Sequence, residues 1–307
     1  MKLNKWFSYI LALLLIGAVF YFSKNQWQYF AKIKEISWQG VFWISLAFIL
    51  AQVAQSIQLK WYIEVFDIHL SYIEAFGLIS LQAFGNYLPL SGGVISNITY
   101  LKAKKKLPVS KYMSYLLGDT ILKFFIYSVL GLILLLCGSF IFGLFEINFL
   151  IIGFLIFLFF SAVVCIFSPN INSGTQNKIL LWLLHMHKGW DLIRRNKSLI
   201  FKNAILHIAI FVLIALQFYV IFGEMGIEVS FPAVLILTVV TNIIKISSLF
   251  PGNLGLRETV SGGITKIFSL SFEAGFTASL FTRVITMVWI SLFGIYFSFS
   301  LIRNFRK

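Results

Sequence analysis

The chain has 307 residues, 59% of them hydrophobic and only 12% charged, and its 25 Lys and Arg outnumber 11 Asp and Glu to leave a net charge of +14. Soluble globular chains carry about 25% charged residues, so this balance excludes a disordered chain, a disulfide-rich secreted scaffold, an ordinary cytosolic enzyme and a basic soluble nucleic-acid binder. What remains is an all-α polytopic integral membrane protein.

A bilayer core takes about 20 mostly apolar residues per helix. Phe7–Phe22 is the first such run. It follows Lys2 and Lys5, but Tyr21-Phe22-Ser23-Lys24 offers no small-x-small cleavage site, so it reads as a retained span. Val41–Ile57, Tyr115–Phe140, Phe149–Phe167, Ala204–Phe222 and Phe276–Leu301 complete six expected full spans. Cys137 and Cys165 sit inside these runs as packed or lipid-facing thiols, with no implied disulfide or metal.

Two further apolar regions, Ser71–Leu101 and Phe231–Leu270, are interrupted near their middles. The first interruption holds Pro89, Gly92 and Gly93; the second holds Pro251, Gly252 and Gly255. Pro removes a backbone donor and Gly weakens a helix, so each region should break there. Broken backbone at membrane depth needs protein or a water-filled cavity around it, and paired interruptions in two halves point to a transporter-type site. Pro89 and Pro251, like Gly93 and Gly255, stand 162 residues apart; Ser128 and Ser291, like Gly131 and Gly294, stand 163 apart. These correspondences suggest one transmembrane domain over residues 1–307. Its first repeat would run from about 41 to 142, a linker from about 168 to 202, and a second repeat from about 203 to 303.

Cations in short loops orient membrane proteins. Seventeen of the 25 cluster in alternate loops: Lys2 and Lys5; Lys60, Lys102, Lys104, Lys105, Lys106 and Lys111; Lys178, Lys188, Arg194, Arg195, Lys197 and Lys202; Arg303, Arg306 and Lys307. Both termini are therefore expected in the cytoplasm, with the protein in the inner (cytoplasmic) membrane. The two broken regions then become re-entrant helical hairpins entering from opposite sides, an inverted repeat whose tips meet near the midplane.

Six ionisable residues remain at expected membrane depth: Asp119, Lys123, Lys245, Arg257, Glu258 and Arg283. Such residues are costly there and are candidates for substrate binding. Four cations against two anions suit an anionic group such as a phosphate, and the helices restarting after Gly93 and Gly255 would aim backbone N–H groups at it. Plainer roles stand beside this one. Asp119 and Lys123, four apart on one helix face, would neutralise each other; Asp119, Lys123 and Lys245 could snorkel to the interface; Arg283 could pair with Glu258 or Glu273.

Between the fourth and fifth spans, Ile179, Leu183, Met186, Trp190 and Ile193 form one helical stripe, expected as an interfacial amphipathic helix. The Lys102–Lys106 run reads as a topological anchor or a patch for anionic headgroups. His185 and His187 point to different faces, and His69 and His207 are lone histidines without evident partners, so no metal or other cofactor is expected. No G-x-x-x-x-G-K-[ST], H-E-x-x-H or G-x-S-x-G motif occurs, and no catalytic role is expected.

The stretch Pro251-Gly252-Asn253-Leu254-Gly255-Leu256-Arg257-Glu258 resembles the P-x-x-(G)-G-L-G-x-R-E signature of the lysylphosphatidylglycerol synthase transmembrane-region family, also described as a flippase-like domain. Asn86-Tyr87-Leu88-Pro89, followed by Tyr100-Leu101 and Gly118-Asp119, resembles that family's first signature. There the family usually carries Arg and Glu after the Pro, whereas this chain reads Leu90-Ser91-Gly92-Gly93-Val94-Ile95-Ser96. The chain also lacks the aminoacyl-transferase domain of full-length synthases. The resemblance implies a flippase for an anionic phospholipid or polyprenyl-linked lipid, with membrane lipids as partners and no nucleic acid. It equally implies a non-catalytic membrane partner of a lipid-linked glycosyltransferase. The residues alone also fit a proton-coupled transporter of a small anionic solute, working through Glu258 or Asp119.

Overall fold

The computed structural model describes residues 36–87, 92–142, 148–166, 178–247, 253 and 255–305. The expected first span, Pro89, Pro251 and Gly252 lie outside the described residues. Every regular element within them is an α-helix: α1 (Trp38–Glu64), α2 (Tyr72–Gly85), α3 (Gly92–Lys105), α4 (Val109–Phe142), α5 (Asn148–Ile166), α6 (Lys178–Arg195), α7 (Lys197–Glu224), α8 (Phe231–Ser247), α9 (Leu256–Ile267) and α10 (Phe272–Phe305).

Four of them, α1, α4, α7 and α10, are long and apolar enough to cross a membrane. They contain the second, third, fifth and last expected spans. The fourth expected span forms α5, a shorter apolar helix. Large apolar side chains point outward along these helices, among them Phe159 on α5 and Phe299 on α10, each 73% exposed. Water would penalise that surface and a lipid bilayer would not. The chain is a multi-pass membrane protein.

Local sequence sets the helix starts. Ser71 and Glu74 close a reciprocal cap on α2: the Ser71 hydroxyl accepts from the Glu74 N–H at 3.1 Å, and the Glu74 carboxylate accepts from the Ser71 N–H at 3.0 Å. The Asn196 side chain accepts from the Leu199 N–H at 3.0 Å and starts α7. The Ser37 hydroxyl caps α1 by accepting from the Gly40 N–H and donates in turn to the Glu224 carboxylate at the far end of α7, at 2.8 Å.

Helices α2 and α3 fold back on each other as the first hairpin. Gly85 and Gly93 lie backbone to backbone at its tip, where a methyl group on either would overlap the other helix. Asn97 on α3 donates to Gln82 on α2 at 3.0 Å. At the base, Lys105 donates to Glu74 at 3.1 Å and to the His69 carbonyl at 3.2 Å, while Lys60 at the end of α1 donates to the Leu70 carbonyl at 2.8 Å. The first hairpin thus opens toward the C-terminal end of α1.

Helices α8 and α9 form the second hairpin, and its base lies at the other end of the molecule. Phe231, which opens α8, meets Tyr219 in the last turns of α7. Thr265 in α9 donates to the Ser271 carbonyl just before α10. Since Glu224 at that end of α7 also binds Ser37 before α1, the two hairpins enter from opposite ends of the helical bundle.

The packing between the halves is reciprocal. Helix α4 lies against α8, α10 lies against α2, and α1 and α7 lie against each other. Gly131 on α4 receives the Phe154 ring of α5, while Gly294 on α10 receives Phe84 of α2. Both are close approaches that a larger residue would block.

Helix α6 bears the expected stripe, but part of it is covered by protein. Trp190 and Ile193 are buried against Gly118 of α4, and the Ser114 hydroxyl of α4 donates to the Met186 carbonyl at 2.6 Å. An apolar helical stripe gains as much from a neighbouring helix as from lipid, and α4 offers small residues to pack on.

Candidate functional site

The chain restarts helically at α9 through Gly255, whose φ of +80° strains any residue with a Cβ. That turn puts Arg257 and Glu258 in the first turn of α9, where the free N–H groups and the positive end of the helix dipole lie. Glu258 reaches back, and its Oε2 accepts from the Gly255 N–H at 2.9 Å. Its Oε1 lies 2.7 Å from Nε of Arg283, which enters from α10. Both carboxylate oxygens are thereby engaged. Arg283 also donates from Nη2 to the Asn253 carbonyl at 3.1 Å, tying α10 to the segment that leads into α9.

Arg257 points elsewhere. Its guanidinium sits 5.3 Å from the Phe218 ring of α7, a cation–π contact. Arg283, Glu258 and Tyr87 form its charged and polar surroundings. Tyr87 follows α2, so the end of the first hairpin meets the start of α9 at this arginine. Arg257 is only 8% exposed, its Nε has no hydrogen-bond partner, and among the described residues it has no ion-pair partner. The group formed by Arg257, Arg283 and Glu258 holds two cations and one anion, all three residues buried. Hydroxyl side chains of α10 share this interior, with Ser279, Thr282 and Thr286 buried along the face that carries Arg283.

The other expected site residues gather separately. Asp119 and Lys123 on α4 form an ion pair at 2.6 Å, the i,i+4 pairing their spacing predicts. Asp119 makes no ion pair with Arg257 or Arg283. Its second oxygen faces His207 of α7, with Nε2 to Oδ1 at 3.1 Å. His207 was a lone histidine in the sequence; its partner lies on a helix 88 residues earlier, and only tertiary packing reveals it. The signal available was its place just inside an apolar span, three residues after Ala204, much as Asp119 lies four after Tyr115. Lys245 lies on α8, but its side chain is outside the described residues. Gly92 and Gly93 open α3, and Gly255 caps α9. No group of three or more His, Cys, Asp or Glu suited to a metal ion occurs among the described residues.

Comparison with known proteins agrees with the architecture. An 84-residue stretch is 33% identical to a UPF0104 membrane protein from Methanothermobacter thermautotrophicus, covering 27% of this chain and 25% of that relative. The match therefore spans only about a quarter of the relative's length. No solved structure matches the chain. The family described as "Lysylphosphatidylglycerol synthase TM region" matches residues 7–294, nearly the whole sequence, and the chain belongs to that family.

Proposed function

We propose that the protein moves a lipid with an anionic headgroup across the inner membrane, without catalysing a covalent reaction. The observation that carries this reading is Arg257, a buried guanidinium whose neighbouring carboxylate is taken by Arg283. An uncompensated buried charge is costly, and a ligand of opposite sign removes that cost. A phosphate suits the position, because a guanidinium binds its oxygens two at a time and the start of α9 adds its positive end.

The family supports a role in membrane lipid biology. The hairpins entering from opposite ends supply two arms that meet at the headgroup, while the acyl chains stay in the bilayer. Two repeats, residues of about 41–142 and 203–303, would rock about that point. The cationic loops support a reading in which both termini are cytoplasmic. At an offset of 162 residues Ile95 and Ser96 stand where Arg257 and Glu258 stand, so the ionic contacts come from the second hairpin alone.

The test is translocation of headgroup-matched fluorescent lipids in proteoliposomes, read by quenching of the outer leaflet. The reading expects anionic lipid to move faster than a zwitterionic one, and Arg257→Ala to abolish the difference. Equal rates for both lipids, or an unchanged preference in the variant, would overturn it.

A further inference from the structure

The headgroup site leaves a second buried ionic group without a task. Asp119, Lys123 and His207 lie at the contact of α4 with α7, helices from the two halves of the chain. Lys123 alone neutralises Asp119. His207, 0% exposed, is a third and titratable member, and one of its ring nitrogens already faces the carboxylate. A neutral imidazole carries one N–H. Against a carboxylate that N–H belongs on Nε2, which leaves the lone pair on Nδ1. Nδ1 is buried and has no hydrogen-bond partner among the described residues. An imidazole serving only as a donor to Asp119 would leave this acceptor orphaned at a cost; one that also accepts a proton there has a use for it.

We infer that Asp119 and His207 form a proton-binding site that makes lipid movement proton-linked. One proton adds to Nδ1 of His207 and gives an imidazolium; the same N–H later gives it up on the other side. The three-residue group goes from net zero to +1 and back, and no other bond changes.

Other groups around the pair fit this role. From α4, Asp119 and Lys123 are the charges that act on the imidazole. Tyr62 of α1 and Tyr112, Tyr115 and Tyr127 of α4 surround the carboxylate as neutral phenols. On α7 itself the nearest cation in sequence is Lys202, which turns to the Trp61 ring at 5.9 Å. The side chain of Lys123, 30% exposed, marks the way out of the group.

Asp119 and His207 each lie ten residues into their helices, at matching levels along the packed pair. The imidazolium binds Asp119 more tightly than the neutral ring does. Proton loading would therefore lock α4 to α7, and proton release would free the halves to move.

The coupling rests on the lipid-translocation reading; the proton site does not. Full-length protein labelled with 15N-histidine and placed in nanodiscs gives four imidazole signals, of which the one missing in His207→Gln belongs to His207. That signal should pass from neutral to cationic as the pH is lowered, at a midpoint that Asp119→Asn shifts. A ring that stays neutral throughout, or a midpoint indifferent to Asp119→Asn, overturns the proton site. In proteoliposomes, a gradient of about two pH units should change the wild-type lipid rate by roughly five-fold or more, and His207→Gln should remove that dependence. A wild-type rate indifferent to the gradient overturns the coupling. Titration of His207 with no lipid movement under any condition sinks the translocation reading, and the coupling with it, but leaves the proton site standing.

Discussion

Arg283 takes the carboxylate of Glu258, at 2.7 Å from Nε to Oε1, and among the described residues the adjacent Arg257 has no ion-pair partner. Neighbouring cation and anion in sequence would ordinarily be expected to screen each other. Here the α9 helix turns them apart. Glu258 serves the cap of its own helix and the arginine of α10, while Arg257 faces Phe218.

On the proposed reading, Glu258 serves structure and Arg257 serves binding. Glu258→Gln removes the anion from a buried pair, and should destabilise the protein by about 3–5 kcal/mol. Replacing both partners, as in Glu258→Gln with Arg283→Met, should recover much of that loss. Thermal unfolding of the two single variants and the double variant in detergent checks it. Additive losses would show that the pair is not a unit.

Arg257→Ala should behave in the opposite way. It removes a buried charge that has no ion-pair partner among the described residues, so stability should hold or rise. Affinity for anionic lipid should fall about 10- to 100-fold, the value of one to two charge-assisted hydrogen bonds. Arg257→Lys keeps the charge and loses the fork, and should fall between. Lipid binding and unfolding measured on the same preparations separate the two effects.

The hairpin geometry depends on two kinds of glycine. Gly255→Ala should cost about 1–2 kcal/mol, because φ is +80° there. Gly93→Val should cost more, since its side chain would enter the α2 backbone. Denaturation midpoints check the order, with Gly263→Ala as a control that meets nothing within 4 Å.

Much of this was legible in the chain. Residue spacing predicted the Asp119–Lys123 pair, and the Pro-Gly interruptions predicted two hairpins between spanning helices. The pairing of Arg283 with Glu258 stood among the alternatives. What sequence could not show was the sorting of five of the six ionisable residues, all but Lys245, into two groups. Spacing reports only neighbours on one helix, whereas His207 meets Asp119 across α7 and α4. For the same reason the α6 stripe read as lipid-facing, although Gly118 and Ser114 of α4 receive part of it.

The base of the first hairpin should respond to acid. Burial raises the pKa of Glu74, but the Ser71 N–H, Lys105 and Tyr100 together outweigh it and hold the carboxyl below its ordinary value of 4.5. A depressed carboxyl contributes stability that is present above its unfolded value and lost as pH falls through the folded one. The wild type should therefore lose some stability at the acid end, a modest amount because the site is partly solvated, that Glu74→Gln lacks at every pH. Unfolding followed from neutral pH to below the carboxylate range checks the sign. A loss on the alkaline side instead would contradict it.

The central claim is that Arg257 holds an anionic lipid headgroup, and native mass spectrometry of the protein released from its own membrane tests it most directly. The account predicts an anionic lipid bound to the wild-type protein and lost from Arg257→Gln, while Lys102→Gln at the hairpin base keeps it. Wild-type protein free of anionic lipid, or equal retention in Arg257→Gln, would contradict it.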